Sequence, residues 1–214
     1  DIQAQPGRGG ERLHAAVRVV LHPPDTPERD LPQAAIRPYP QEYITDWTAR
    51  DGMPVTIRPI RPEDEPFMVH FHQTLSDYSV HMRFFRAINL TQRVAHERLT
   101  RICFIDYDRE MALVAEHRNP APGEPLLLGV GRLIKSRDRA DGEVAILISD
   151  RFHGKGLGTE LLRRLLEVAR AEHVSHLCAD ILPENHAMQR ICEKLGFQVR
   201  YDVDEQLVKA EMSL

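Results

Sequence analysis

The sequence predicts an α/β (α+β) domain, a mixed and mostly antiparallel sheet flanked by helices, and three observations predict it. Runs rich in Leu, Val and Ile at 111–116, 126–134 and 143–149 follow one another through turn-forming connections alone, which reads as an antiparallel meander. The stretch 156–173 carries Leu161, Leu162, Leu165, Leu166 and Ala169 at helical spacing, with Arg163, Arg164, Glu167 and Arg170 facing away from them. Alternate glycines join the last strand to that helix, so strand and helix must pack as neighbouring layers.

In chain order, Pro23, Pro24, Pro27, Pro32, Pro38 and Pro40 crowd the amino-terminal part, where missing N–H groups disfavour regular structure. Residues 1–54 therefore read as a separate segment and linker containing one orphan strand at 17–21, and residues 55–214 as the domain. A first strand at 55–60 ends in the charged turn Arg61-Pro62-Glu63-Asp64. Helices follow at 63–75, 77–85 and 91–101, the last opening on a Thr91 N-cap. After the meander and the 156–173 helix come a strand at 176–182 and a helix at 185–195 stopped by Gly196. Two strands at 197–203 and 206–212 close the chain.

The 214 residues, 42% of them hydrophobic, carry a net charge of −4 and a pI near 6.3. Such a balance offers no overall basic surface for phosphate neutralisation, so a nucleic-acid partner is not expected. No apolar run approaches the roughly 18 residues that span a bilayer, and no signal peptide opens the chain, so no membrane association is expected. Cys103, Cys178 and Cys192 lie far apart without a CxxC pair, which reads as reduced thiols in a cytoplasmic compartment. His96-Glu97-Arg98-Leu99-Thr100 lacks the second histidine of a zincin helix, so no metal is expected.

Chemistry concentrates in Arg151-Phe152-His153-Gly154-Lys155-Gly156-Leu157-Gly158-Thr159. Glycines there let backbone N–H groups approach and converge on an anion, and the helix N-terminus adds about half a positive charge. Arg151 and Lys155 would add full charges. A Walker loop is excluded because Lys155 is followed by Gly156 rather than Ser or Thr, and the antiparallel meander upstream excludes a Rossmann unit.

The spacing Arg151-x-x-Gly154-x-Gly156, followed by Asn185 opening a helix that ends in Leu195-Gly196-Phe197, resembles the GNAT superfamily of acyl-CoA-dependent N-acyltransferases over residues 55–214. The resemblance implies that acetyl-CoA is the cosubstrate. The loop amides, through Arg151, His153, Gly154, Lys155, Gly156, Leu157, Gly158 and Thr159, would hold its pyrophosphate. The backbone of Ile146, Leu147 and Ile148 would pair with the pantetheine arm, with Asn185 beside it. Thr56 to Asp64 and Leu75 to Phe85 look like the acetyltransferase module of bacterial protein lysine acetyltransferases, in which the module follows an NDP-forming acyl-CoA synthetase-like region. Residues 18–40 are similar to the end of that region, where an ATP-grasp subdomain closes. On that likeness, and lacking an initial methionine, the chain is expected to be part of a larger multidomain protein or to descend from one that lost its front, with a protein bearing an acceptor lysine as partner.

Acyl transfer to an amine needs a base, because a free lysine of pKa about 10.4 is protonated near neutrality. Glu143 is the candidate: flanked by Val144, Ala145 and Ile146 it reads either as a partly desolvated carboxylate with a raised pKa or as an exposed strand end beside a turn, and the resemblance implies the catalytic glutamate at this position. A backbone N–H near Leu147 would stabilise the oxyanion. Many relatives carry a tyrosine general acid on the helix after the Asn. Here Cys192 stands instead, and a core role suits a free cysteine better. Arg83, Phe84 and Phe85 fall on helices bordering the acceptor side in relatives. Two other functions fit the same motifs: transfer to a small amine, and a non-catalytic acyl-CoA sensor that binds without transferring.

Overall fold

A computed structural model describes residues 2–5, 12–15, 37–117, 126–136 and 140–214. The chain divides into a unit Asp1–Ala35 and a unit Ile36–Leu214. In the first, β1 (Ile2–Gln5) and β2 (Arg12–Ala15) form an antiparallel ladder in the register Ile2↔Ala15. The strand expected at 17–21 lies outside the described residues.

The second unit is an eight-stranded sheet in the order β3-β4-β5-β6-β7-β8-β10-β9. These are β3 (Thr45–Thr48), β4 (Pro54–Pro59), β5 (Glu110–His117), β6 (Leu126–Lys135), β7 (Asp141–Ile148), β8 (His176–Ile181), β9 (Gln198–Asp202) and β10 (Leu207–Ser213). Every neighbouring pair is antiparallel except β7 and β8. The expected meander is β5 through β7. Both faces are covered, which is why β5 reads as the unbroken apolar run Met111 to Ala115 rather than as an alternation. Met111, Leu113 and Ala115 pack with Leu161 and Leu165 of α5 (Leu157–Ala171), whereas Ala112 and Val114 pack with Met68 and Phe71 of α1 (Glu65–Gln73).

Between these come α2 (Asp77–Phe84), α3 (Leu90–Arg93) and α4 (His96–Cys103), with α6 (His186–Lys194) after β8. The single helix expected at 91–101 is two. Asn89, not Thr91, is the first N-cap, accepting from the Gln92 N–H at 2.9 Å, and an extended Ala95 (φ −59, ψ 129) interrupts before α4. Leu99 and Cys103 then start a separate apolar stripe facing α1.

The boundary expected at residue 54 moves to residue 36. Tyr39, Tyr43, Trp47 and Met53 pack on the α5-side core, and β3 pairs with β4 in the register Trp47↔Val55. Arg37 donates to Glu172 at 2.7 Å and the Tyr43 hydroxyl donates to it at 3.2 Å. Lys135, with its side chain 2% exposed, donates to the same carboxylate. Prolines 38 and 40 shape only the entry to this segment; its aromatic side chains supply the burial that docks it.

Candidate active site

The site begins where two strands part. β7 and β8 share three parallel pairs, Asp141↔His176, Gly142↔Leu177 and Glu143↔Cys178, yet β7 runs on to Ile148 and β8 to Ile181. Past Glu143 the two diverge, and one edge of β7 is left without a strand partner.

Two bonds fix which backbone groups face that opening. Ser136 N–H donates to Asp141 O at 2.8 Å and Ser149 N–H donates to Leu128 O at 2.9 Å, at either end of a β6–β7 ladder without a register shift. Odd-numbered β7 residues therefore spend their amides on β6, while Ile146 and Ile148 turn theirs outward. His153 Nε2 lies 3.0 Å from Ile148 O, a bond that requires the Nε2–H tautomer, so the Ile148 carbonyl is taken. Ile146 N–H and C=O and Ile148 N–H remain for an extended ligand. Leu147, expected near the oxyanion, lines the cleft but directs its N–H to β6; the outward donor is that of Ile146.

The opening continues into a cleft of about 730 Å³. Of the residues expected at the cosubstrate, Ile146, Leu147, Ile148, His153, Gly154, Gly156, Leu157, Gly158, Thr159 and Asn185 line it. Gly154 (φ +75) and Gly156 (φ +92) take the left-handed conformation that L side chains disfavour, and Gly156 caps α5. The first intrahelical bond is Glu160 N–H to Gly156 O, so the N–H groups of Leu157, Gly158 and Thr159 open the helix unpaired. A phosphate set there meets converging donors and the positive end of a 15-residue helix.

The two expected cations do not line this cleft. Lys155 Nζ pairs with Asp51 at 2.7 Å and sits 5.0 Å above the Phe152 ring, and exposed Arg151 is not among the lining residues. Its cations are instead Arg83, expected at the acceptor side, and Arg50, Arg190 and Lys194, which the sequence did not single out. Arg50 tops the β3–β4 hairpin, whose Asp51-Gly52 turn (Gly52 φ +86) is a hairpin signal legible in the sequence. Its N–H donates to Lys155 O at 3.3 Å, and its Nε would stand 3.3 Å from a Cβ on Gly156. Arg190 and Lys194 share the exposed face of α6 by their i, i+4 spacing.

Asp150 positions the opposite wall. It accepts from Ser76 N–H at 2.9 Å, Ser76 Oγ at 2.7 Å and Ser79 Oγ at 2.8 Å, which ties the start of α2 to the glycine loop. Asn185 caps α6, accepting from Met188 N–H at 3.2 Å, and lines the cleft as well, so both expected uses coexist.

A smaller pocket of about 260 Å³ adjoins the cleft through Met82, Arg83, Ile146, Asn185 and Met188, and Glu143 lines it together with Phe84, Phe85 and Asp180. Glu143 is exposed, which favours the strand-end reading of its surroundings over a desolvated carboxylate. Its flanking residue Val144 belongs to the α5-side core, because successive strand residues point to opposite faces. Cys192 is 0% exposed and absent from both linings, and burial pushes its thiol up to about 12. It is a core residue.

A free strand edge that can take the amides of an extended arm, ending at a helix N-terminus that can take a phosphate, defines an acyl-CoA-dependent transferase site. Residues 55–198 match the family described as Acetyltransferase (GNAT) domain, and the chain belongs to it. It is an acyl-CoA-dependent N-acetyltransferase. It is 33% identical over 156 residues to Acetyltransferase PA5475 of Pseudomonas aeruginosa, covering 72% of this chain and 81% of that one. Its fold is similar to the GNAT domain of S. lividans PAT (TM-score 0.73, 24% identity, 83% of this chain and 100% of that). It is also similar to Mycobacterium smegmatis RimJ in complex with CoA-disulfide (TM-score 0.65, 14% identity, 79% and 86%). Arg50 precedes the matched region, so this cation of the cleft is contributed from outside it. Among the described residues, no helix is long and apolar enough to cross a membrane.

Proposed function

We propose that the protein transfers the acetyl group of acetyl-CoA to the ε-amine of a lysine on a protein, by direct attack with Glu143 as general base. The observation that carries this reading is the end of the β7–β8 pairing at Glu143. The same rung that opens β7 to the cosubstrate arm puts a carboxylate at the inner end of the opening. Acetyl-CoA supplies the thioester as acyl donor. Glu143 accepts the amine proton, through a water where it does not reach directly. Ile146 N–H is turned to donate to the thioester oxygen, a donor fixed before reaction and therefore effective without reorganisation. The Glu143 pocket opens at exposed Phe85, a geometry suited to a side chain presented by a large substrate rather than to an enclosed small amine. Buried, unpaired Cys103 and Cys192 suit a reducing cytoplasmic setting.

Glu143→Gln tests the assignment. Turnover should fall by about 10²–10⁴-fold with CoA affinity kept, the usual worth of a positioned base. Turnover equal to wild type removes Glu143 from this role. Mass spectrometry of a lysate incubated with acetyl-CoA should locate acetyl-lysines that disappear in the variant.

A further inference from the structure

Arginines gather at one side of the Glu143 pocket, around its lining residue Phe84. Arg83 lines both the pocket and the cleft, and its Cζ lies 5.1 Å from the centre of the Phe84 ring. Arg98 of α4 reaches the same ring at 5.1 Å. Two guanidinium groups thus bracket one pocket-lining aromatic. Burial lowers the pKa of Arg98, and Arg86 and Arg132 lower it further; burial and Arg132 lower that of Arg83, against which Glu143 acts. Arg132, paired across the strands with Ala145 on the face that also carries Glu143, is neutralised by Glu110. Among the described residues, Arg83, Arg86 and Arg98 form no ion pair, and Arg98 Nε is buried without a hydrogen-bond partner.

Their surroundings make that arrangement informative. Like charges held together without counter-ions cost free energy, and a bound anionic group would relieve it. The pocket's own acids are Glu143 and Asp180, and Asp180 is engaged by Lys209 at 2.9 Å. A lysine arriving from a basic tract would therefore meet three arginines that form no ion pair, of which Arg83 alone has a pocket carboxylate, Glu143, acting on it, whereas one flanked by carboxylates would bring further counter-charges. Exposed Ile134, the cross-strand partner of Glu143, and exposed Phe85 provide apolar footing at the same mouth.

We propose that Arg83, Arg86 and Arg98 select acceptor lysines that lie among acidic residues, so that the protein partner docks through an acidic segment. This inference rests on the lysine-acceptor reading given above and names the substrates within it. Charge complementarity at a rim acts through encounter and KM more than through the chemical step, and it weakens with salt.

The test uses the full chain, acetyl-CoA and three peptides that differ only at the positions flanking one central lysine, which are Glu, Ala or Arg. At low salt, kcat/KM for the Glu-flanked peptide should exceed that for the Ala-flanked one by about tenfold, with the Arg-flanked one poorest, and the ratio should shrink as ionic strength rises. Arg83→Gln and Arg98→Gln should bring the Glu-to-Ala ratio close to one. Arg86→Glu, at an exposed position that folding does not depend on, should lower the ratio even if the other two variants fail to fold. Equal rates for the three peptides, or a preference for the Arg-flanked one, overturn the proposal while leaving lysine acetylation intact. No acetylation of any peptide removes the lysine reading itself, and this inference with it.

Discussion

Gly156→Ala gives the most direct reading of the anion loop. Gly156 caps α5 at φ +92, and holding an L residue in the left-handed region costs about 1–2 kcal/mol. The added Cβ would also stand 3.3 Å from Arg50 Nε and 3.6 Å from its Cγ. That neighbour is a long exposed side chain that can swing aside, so the contact itself adds little strain but displaces a cleft-lining cation. If the loop keeps its shape, the cost falls on stability, lowering Tm by about 2–8 °C for a domain of this size. If the loop relaxes, the converging N–H groups are lost and CoA affinity falls by about 5–30-fold, at 1.4 kcal/mol per decade. Gly154→Ala separates the two effects, since Gly154 shares the positive φ (+75) but an added Cβ there meets nothing within 4 Å. Calorimetric CoA titration and thermal unfolding of both variants check this. Gly156→Ala should lose more CoA affinity than Gly154→Ala. Wild-type affinity and wild-type Tm in both would refute the loop as the phosphate cradle.

Arg50→Gln should raise KM for acetyl-CoA by about three- to tenfold, with the loss confined to KM, as expected of one exposed charge-assisted contact; steady-state kinetics at varied acetyl-CoA checks it. Cys192→Ala should destabilise the protein by about 1–2 kcal/mol through the core volume removed while kcat stays within about twofold, and a hundredfold loss of kcat would make the thiol a proton donor after all. Glu172→Gln should cost about 3 kcal/mol, because it strands Lys135 inside, and chemical denaturation measures the loss. Burial pushes the Glu172 carboxyl up, but hydrogen bonds from Lys135 and Arg37 outweigh it and hold it below its usual 4.5. A carboxylate lowered on folding stabilises fully above its unfolded pKa. Wild type should therefore lose this contribution as pH falls below about 4.5 through the folded value, and Glu172→Gln should show a shallower acid limb.

What the sequence shows of this site follows from how local each cause is. The α5 stripe is a property of one helix, and Leu161, Leu162, Leu165, Leu166 and Ala169 are all buried as their spacing requires. The glycine loop is equally local, since left-handed backbone and close approach are demanded at the glycines themselves. The segment 37–54 misled because proline is a strong local signal, whereas Tyr39, Tyr43 and Trp47 reveal their burial only against the α5-side core. Lys155 illustrates the same limit: its adjacency to the loop was visible, but its partner Asp51 sits on a hairpin brought alongside by tertiary structure. The environment of Glu143 was partly readable all along. Val144 lies on the other face of a strand, so the residues that shield or expose Glu143 are Ala145 and its cross-strand neighbours, not the residue beside it.

The hydrogen-bond parity of β7 lies beyond any reading of side-chain pattern, and much of the chemistry hangs on it. Apolar alternation tells which face a residue covers, but which edge its amide serves depends on the register with β6. With Ser149 bonded to Leu128, Leu147 is committed to the sheet and Ile146 is free. A register shifted by one residue would keep the strand, yet it would withdraw the Ile146 donor from the opening beside Glu143. The glycines beneath α5 bear on this register: a Cβ on Gly129 would come within 2.5 Å of Ile148 Cδ1, and one on Gly131 within 3.1 Å of Leu165 Cδ1. Small residues at those two β6 positions let α5 and the end of β7 seat in the one register that leaves Ile146 facing the cleft, so the sheet core and the acyl site are specified by the same contacts.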